Sequence, residues 1–164
     1  MKQLLIVFLF TTLFITGNSQ TASTTASGRV NVIQPLSIAS TGGALSFGEI
    51  ILAGSIAGYQ ITPAFGQQFR ITGNPGWSVS ITFSQISLSN SVWVGLNGGT
   101  IGSLTFTPNV VNSLNSPITS GNFYSLVTSG AVAILDVRVG GSITVSSTQP
   151  HGNYTGIFTI SVSY

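Results

Sequence analysis

Apolar and hydroxyl-bearing side chains alternate one by one in Trp77-Ser78-Val79-Ser80-Ile81-Thr82-Phe83, and again in Phe158-Thr159-Ile160-Ser161-Val162-Ser163-Tyr164. Successive side chains of a β-strand point to opposite faces, so a period of two predicts a strand with one face in the core. Apolar residues at helical spacing are nearly absent from the chain. The two stretches therefore indicate an all-β fold.

Shorter segments of the same kind recur between Gly, Asn, Pro and Ser residues, which favour turns. They are Val30-Asn31-Val32, Leu36-Ser37-Ile38, Leu45-Ser46-Phe47, Phe69-Arg70-Ile71, Val92-Trp93-Val94, Leu104-Thr105-Phe106, Ala131 to Val139 and Ile143-Thr144-Val145. Gly140-Gly141 is the strongest hairpin signal, and Asn109 to Ser120 is predicted to be a long loop. The pattern predicts an antiparallel, immunoglobulin-like β-sandwich of about nine or ten strands.

Charged residues make up 4% of the 164 residues, whereas an ordinary soluble domain carries about 25%. Four Lys and Arg residues cannot form a basic patch that neutralises several phosphates, so nucleic-acid binding is excluded. One His and no Cys exclude a structural zinc site, a disulfide framework and a thiol nucleophile. We therefore predict that the protein is not an enzyme and has no cofactor and no metal site.

The few titratable side chains support that prediction. Glu49 and Asp136 are the only acids. Asp136 lies two residues before Arg138 in an alternating strand, so the two side chains are expected to share a solvent-facing side. Glu49 follows a strand end and is expected to be a surface or turn residue. His151 lies in the turn signal Gln149-Pro150-His151-Gly152 and has no nucleophile and orienting acid to complete a triad.

The N-terminus has the three parts of a signal peptide. Lys2 is followed by an apolar run from residue 4 to 15 and then by the small polar stretch Gly17-Asn18-Ser19-Gln20. We predict a signal peptide over residues 1–19, cleaved after Ser19, a flexible arm over 20–28, and a single sandwich domain over 29–164. The protein is therefore expected to be exported, to the extracellular space or a bacterial cell surface.

The two Trp residues are candidates for ligand contact, because aromatic faces pack well on sugar rings. Trp77 is in phase with the apolar side of its strand and is expected in the core. Trp93 is out of phase with Val92 and Val94, which makes it the candidate ligand contact, with Asn90 and Asn97 nearby. A glycan-binding surface module is therefore an alternative function. A small outer-membrane β-barrel is a further alternative, although most alternating runs here are shorter than the about 9–11 residues of a membrane-crossing strand.

Three segments resemble a secreted bacterial family known as domain of unknown function 4402. They are Pro35-Leu36-Ser37-Ile38 with Leu45-Ser46-Phe47-Gly48-Glu49-Ile50; Phe69 to Ile81, which includes Gly73-Asn74-Pro75-Gly76-Trp77; and Val139 to Val145 with Gly152-Asn153-Tyr154-Thr155-Gly156-Ile157-Phe158 to Tyr164. The closing Gly-x-Tyr-Thr-Gly-x-Phe strand is the most specific of these. The resemblance implies an envelope-associated β-sandwich similar to subunits of bacterial fimbriae, without an established activity.

The likeness to fimbrial subunits suggests assembly by strand addition, in which the N-terminal extension of one chain pairs with a neighbour. The candidate assembly strands are then the arm through Val30 and Val32, and the final strand with Phe158, Ile160, Val162 and Tyr164. Alternatively, residues 29–38 form an ordinary first strand that changes sheets at Pro35. The leading prediction is a non-catalytic, secreted surface protein, structural or adhesive, that associates with itself or related subunits, or with a glycan or host surface.

Overall fold

The computed structural model describes residues 23–52 and 56–164. The predicted signal peptide, residues 1–19, and the first residues of the predicted arm lie outside this part of the chain. Residues 23–31 have no regular secondary structure and are exposed. All the strands described below lie in one compact unit, Val32–Tyr164.

Ten β-strands and one α-helix are present in the described residues. The strands are β1 (Ser37–Ser40), β2 (Ala57–Ile61), β3 (Gln67–Gly73), β4 (Ser78–Thr82), β5 (Ile86–Ser89), β6 (Ser103–Asn112), β7 (Phe123–Ser125), β8 (Val127–Ser129), β9 (Val132–Val145) and β10 (Ser161–Ser163). The helix α1 spans Ser91–Asn97, and a short 3₁₀ turn spans Pro63–Phe65.

The strands form two antiparallel sheets in a sandwich-like arrangement. The larger sheet has the order β1-β3-β9-β6-β5, with β2 and β8 also paired to β9, and the smaller sheet has the order β10-β4-β7. Every strand pair is antiparallel. The prediction of an all-β, antiparallel sandwich is confirmed.

Strand β9 is the axis of the larger sheet. Its 14 residues pair with β3 and then β2 along one edge, and with β8 and then β6 along the other. Val137 and Val139 are fully buried, while Asp136 and Arg138 alternate with them on the outer face. The period of two in the sequence therefore predicted the faces of this strand correctly.

Gly140 and Gly141 do not form the predicted hairpin, because both lie inside β9. A Cβ atom on Gly140 would clash with the carbonyl oxygen of Ile61, and one on Gly141 would clash with the ring of Phe106. Glycine inside a strand marks a place where another chain segment approaches closely. The pair therefore allows the 3₁₀ turn and Phe106 to pack against β9, and it does not reverse the chain.

Two further predictions of local structure are wrong. Residues 92–94 lie in helix α1, because alternation over three residues cannot distinguish a strand from a short helix. The predicted loop from Asn109 to Ser120 begins inside β6, turns at residues 113–116, and returns through a bridge between Val111 and Pro117. Ile118, just after that bridge, is buried in the core.

The core has two parts that are covered differently. The first part lies between the sheets and includes Val79 and Ile81 of β4 together with Val137 and Val139 of β9. The second part consists of Leu104, Phe106, Ile143 and Val145, and no residue of β4, β7 or β10 packs on it in the described chain. Irregular segments over residues 45–52 and 154–158 cover it instead. One half of the larger sheet therefore lacks strands of the second layer.

Candidate assembly site

An open cavity of about 760 Å³ lies over the half of the larger sheet that the smaller sheet does not cover. Its floor includes Leu104, Phe106 and Ile143, and its sides include Leu88 and Phe158. This volume falls within the range of about 300–1,000 Å³ that is usual for binding sites. The cavity is therefore large enough for several side chains of another molecule.

The chain between β1 and β2 explains why the cavity exists. Its described residues, 41–52 and 56, form no strand, although Leu45-Ser46-Phe47 is one of the predicted strands. Phe47 packs edge-on against Phe106, with 6.1 Å between the ring centroids, and Phe158 packs edge-on against the same ring at 5.8 Å. Leu45, Ile50 and Leu52 of the first covering segment and Tyr154 of the second also pack on the floor. These irregular segments together leave the cavity open between them.

The rim of the cavity carries its polar groups. Glu49 is exposed and follows Gly48, whose φ of 70° places it in the left-handed region. His151 is also exposed at the rim. The Tyr154 hydroxyl donates a hydrogen bond to the carbonyl oxygen of Pro150 and accepts one from the Gln149 side chain, both at 2.7 Å. Glu49 is the only acidic or basic residue, apart from His151, among the described residues that line the cavity.

A fully buried amide fixes the segment beside the cavity. The Asn90 side chain donates hydrogen bonds to the carbonyl oxygens of Thr100 (3.1 Å) and His151 (2.7 Å), and it accepts one from the backbone N–H of Gly102 (2.7 Å). Buried polar groups persist when every donor and acceptor is satisfied. Asn90 therefore ties the start of α1 to the loops at residues 100–102 and 151–152.

The predicted glycan contacts do not come together as one surface. Asn90 is buried and already hydrogen-bonded, so its amide does not face a ligand. The Asn97 side chain donates to the carbonyl oxygen of Trp93 at 2.9 Å within the same helix. Trp93 itself is half-buried and lies against Gly152. Sequence reasoning missed this buried amide network, because a lone Asn has no pattern that reveals its partners.

Trp77 is not in the core, contrary to the prediction. It precedes β4, retains 39% of its exposure, and packs edge-on against Tyr164 with 4.7 Å between ring centroids. The turn at Asn74-Pro75-Gly76 ends just before it, with Gly76 at a φ of 79°. Trp77 therefore takes its position from the turn and from Tyr164, although its spacing from Val79 suggested the core.

Asp136 pairs across strands with Arg70 and not along its own strand with Arg138. Arg70 and Asp136 are register partners in β3 and β9, and the guanidinium donates two hydrogen bonds of 2.7 and 2.8 Å to the carboxylate. Hydrogen bonding from Arg70 lowers the pKa of Asp136. Arg138 instead donates to the side-chain oxygen of Asn115 at 3.4 Å. Asp136 and Arg138 do share the outer face of β9, as predicted.

The predicted assembly residues lie in different environments. Val30 and Val32 are 87% and 85% exposed and belong to no strand in the described chain. Ile160 is buried, Phe158 and Val162 are half-buried against the core, and Tyr164 is 40% exposed. Regular pairing of the final strand covers residues 161–163 alone, and one isolated bridge joins Thr155 to Ser89.

Gln34, near the start of the sandwich, lies at the end opposite to the cavity. The Gln34 backbone N–H donates to the Asn74 side chain, and the Gln34 carbonyl oxygen accepts from the Tyr164 hydroxyl. Asn74 follows Gly73, which pairs with Ala133 near the start of β9, whereas the cavity floor includes Ile143 near its end. Ten residues of strand separate these positions by roughly 30 Å.

The edge strands carry no charge. In the described chain β1, β5, β7 and β10 end their sheets, and β2 and β8 pair with β9 alone. None of these six strands contains Lys, Arg, Asp, Glu or Pro; the charged residues found in strands are Arg70 in β3 and Asp136 and Arg138 in β9. Proteins usually protect their edges with such residues or with short strands. Here the edges are short, at three to five residues, but they are uncharged.

Within residues 23–52 and 56–164, no group of three His, Cys, Asp or Glu side chains is placed to hold a metal ion. No helix in that part of the chain is long and apolar enough to cross a membrane.

Residues 18–164 match the family model described as "Domain of unknown function (DUF4402)". No curated protein and no solved structure matches the chain.

Proposed function

The chain belongs to the DUF4402 family, whose description assigns no activity, and we propose from its own surfaces that it is a non-catalytic, exported cell-surface protein that assembles by β-strand pairing. Its role is structural or adhesive, like that of a fimbrial subunit, and its partners are copies of itself or related surface subunits. The uncharged edges of both sheets carry this proposal.

Uncharged edges favour association because each edge strand presents unpaired N–H and C=O groups that another strand can satisfy. A Lys on an edge strand would oppose such pairing, since its charge would have to lose water in the new interface. The described strands place all three of their charges in β3 and β9, which both have partners on each side. The described edge strands therefore lack charge at the positions where charge would oppose assembly.

Exposed apolar side chains add to this argument. Phe123 on β7 and Val127 on β8 are each 66% exposed, and both strands lie at edges. Burial of such side chains between chains contributes about 25 cal/mol for each Å² removed from water. Strand pairing would then gain both hydrogen bonds and apolar contact.

The test compares two matched pairs of Lys substitutions in the exported chain. Ser161→Lys/Ser163→Lys places two charges on the edge strand β10, and Ser142→Lys/Thr144→Lys places two at the same spacing on the exposed face of the interior strand β9. We expect the β10 variant to lose oligomers in light scattering and filaments in electron microscopy of sheared surface material. The β9 variant is expected to retain both.

Two results would contradict the proposal. One is a wild-type chain that is monomeric at every concentration and yields no filaments. The other is equal loss of association in both Lys variants, which would mean that surface charge in general, and not edge pairing, controls association.

A further inference from the structure

We infer that the cavity over β5, β6 and the end of β9 accepts residues 29–33 of a second copy of the chain, with Val30 and Val32 inserted and Arg29 beside Glu49. This inference rests on the proposed function and deepens it by naming the donor segment, the acceptor and the direction of assembly.

The acceptor is the part of the sandwich that lacks second-layer strands. Leu104, Phe106, Ile143 and Val145 form an apolar surface that the smaller sheet leaves uncovered, and the irregular covering segments leave about 760 Å³ open. An added extended segment would supply side chains at a spacing of two residues, as a strand of the smaller sheet would. The cavity therefore lies where a further strand of the smaller sheet would pack, and apolar side chains form its floor.

The donor has the matching pattern and cannot reach its own cavity. Val30 and Val32 alternate with Asn31, so in an extended chain both valines face one side. Gln34 is held at the opposite end of the sandwich by Asn74 and Tyr164. Four extended residues span at most about 14 Å, so Val30 cannot cover the roughly 30 Å to Ile143 on the cavity floor of its own chain. A second copy is required.

The charges fit the same arrangement. Arg29 directly precedes Val30, and Glu49 is exposed at the rim of the cavity. Insertion of Val30 and Val32 would bring an arginine to an acidic rim, and opposite charges across an interface fix the register of association. A segment of one copy in the cavity of the next forms a heterologous interface, which extends in a line when its rotation does not close.

The first experiment is a cross-link between two single-cysteine variants, which is specific because the natural chain has no Cys. Val30→Cys is mixed with Ile50→Cys, which lines the cavity, and separately with Leu114→Cys, which is 82% exposed and lies outside it. Under mild oxidation we expect about tenfold more disulfide-linked heterodimer with Ile50→Cys than with Leu114→Cys. Equal yields would overturn the inference.

The second experiment is a charge exchange. Arg29→Glu and Glu49→Arg are each expected to weaken self-association roughly two- to fivefold, the range for an exposed ion pair, and the double exchange is expected to restore it. Both residues are exposed, so neither substitution should disturb folding, which thermal unfolding checks. Failure of the double variant to recover would contradict the pairing.

The outcomes separate the inference from the function on which it rests. Self-association that persists without a preference for Ile50→Cys overturns the donor-acceptor assignment and leaves edge pairing intact. Absence of any self-association overturns both. Native mass spectrometry is run on the same purified chain, and an apolar small molecule found in the cavity would also overturn the assignment, since the site would then be a ligand pocket.

Discussion

The hydroxyl of Tyr164 donates a hydrogen bond of 3.1 Å to the carbonyl oxygen of Gln34, 130 residues earlier in the sequence. The Tyr164 hydroxyl oxygen also accepts a hydrogen bond of 2.8 Å from the backbone N–H of Asn74, and the Tyr164 ring packs edge-on against Trp77. One side chain thus joins the start of the sandwich, the β3–β4 turn and the final strand. Together with the Asn74 side chain, this phenol fixes the backbone of Gln34.

Removing the Tyr164 hydroxyl should destabilise the backbone around Gln34, where the sandwich begins. Tyr164→Phe keeps the ring contact with Trp77 but loses both hydrogen bonds, so we expect the free energy of unfolding to fall by about 1 kcal/mol. Amide exchange at Asn74 should become faster. Tyr59→Phe is the control, because the Tyr59 hydroxyl makes no hydrogen bond within the described residues. Equal effects of the two substitutions would contradict the role given to Tyr164.

Removing the buried side-chain amide of Asn90 should lower the free energy of unfolding. Asn90→Ala would leave the carbonyl oxygens of Thr100 and His151 and the N–H of Gly102 without their partner, and we expect a loss of about 2–3 kcal/mol. Asn97→Ala removes an exposed amide from the other end of α1 and should change stability by less than about 0.5 kcal/mol. Urea unfolding measures both variants. A small effect of Asn90→Ala would mean that water replaces the amide.

Replacing Gly140, which lies inside β9, should lower the free energy of unfolding. Gly140→Ala would place a methyl group against the backbone of Ile61, so strand β2 or the 3₁₀ turn would have to move, and we expect a cost of about 1–3 kcal/mol or more. Gly58→Ala is the matched control, since Gly58 lies in β2 with open space around its Cβ position. That variant should be neutral or slightly stabilising in a thermal melt. Comparable losses in both variants would show that strand glycines matter here for another reason.

The ion pair of Arg70 and Asp136 should give a small dependence of stability on pH. The lowered pKa of Asp136 means that its contribution is complete above the unfolded value of about 3.9 and disappears as the pH falls through the folded value. Asp136→Asn should therefore cost less than about 1 kcal/mol at pH 7, because the pair is exposed, and the difference from wild type should vanish below that range. Arg138 remains beside Asn115 in both proteins.

Stability measured from pH 7 down to pH 2 in low and high salt checks this prediction. High salt should reduce the difference at pH 7, since the pair is solvent-exposed. A difference that grows as the pH falls would have the wrong sign and would contradict the assignment of Arg70 as the partner.

The sequence correctly predicted the strands in which apolar and polar residues alternate over a long stretch, so that one face is apolar and the other is polar. Residues 77–83 contain β4, and the buried positions Val79 and Ile81 were assigned correctly. The stretch of residues 131–139 begins β9, but its continuation through Gly140 and Gly141 was hidden, since two glycines favour a turn unless another segment packs against them. Local pattern cannot show such a tertiary contact.

The cavity could not be predicted from the sequence for a related reason. Leu45 and Phe47 have the spacing of a strand, yet they contact the core from an irregular segment, and the space between them depends on how Phe106 and Phe158 fill the floor. The absence of charge at the edges, by contrast, was already implied by the composition. What required the structure was that β3 and β9, the strands that carry charges, are interior strands of the larger sheet.

The direction of β9 bears on how an assembled surface fibre would carry load. If neighbouring copies pull on the chain at Gln34 and at the cavity near Ile143, the force acts along β9 and not across it. The hydrogen-bond ladders that join β9 to β3 and to β6 would then be loaded in shear. In that geometry many hydrogen bonds resist the force at the same time, and the strands cannot separate by breaking one bond after another from an end. A protein with very few surface charges would in this way gain tensile strength from the orientation of a single long strand.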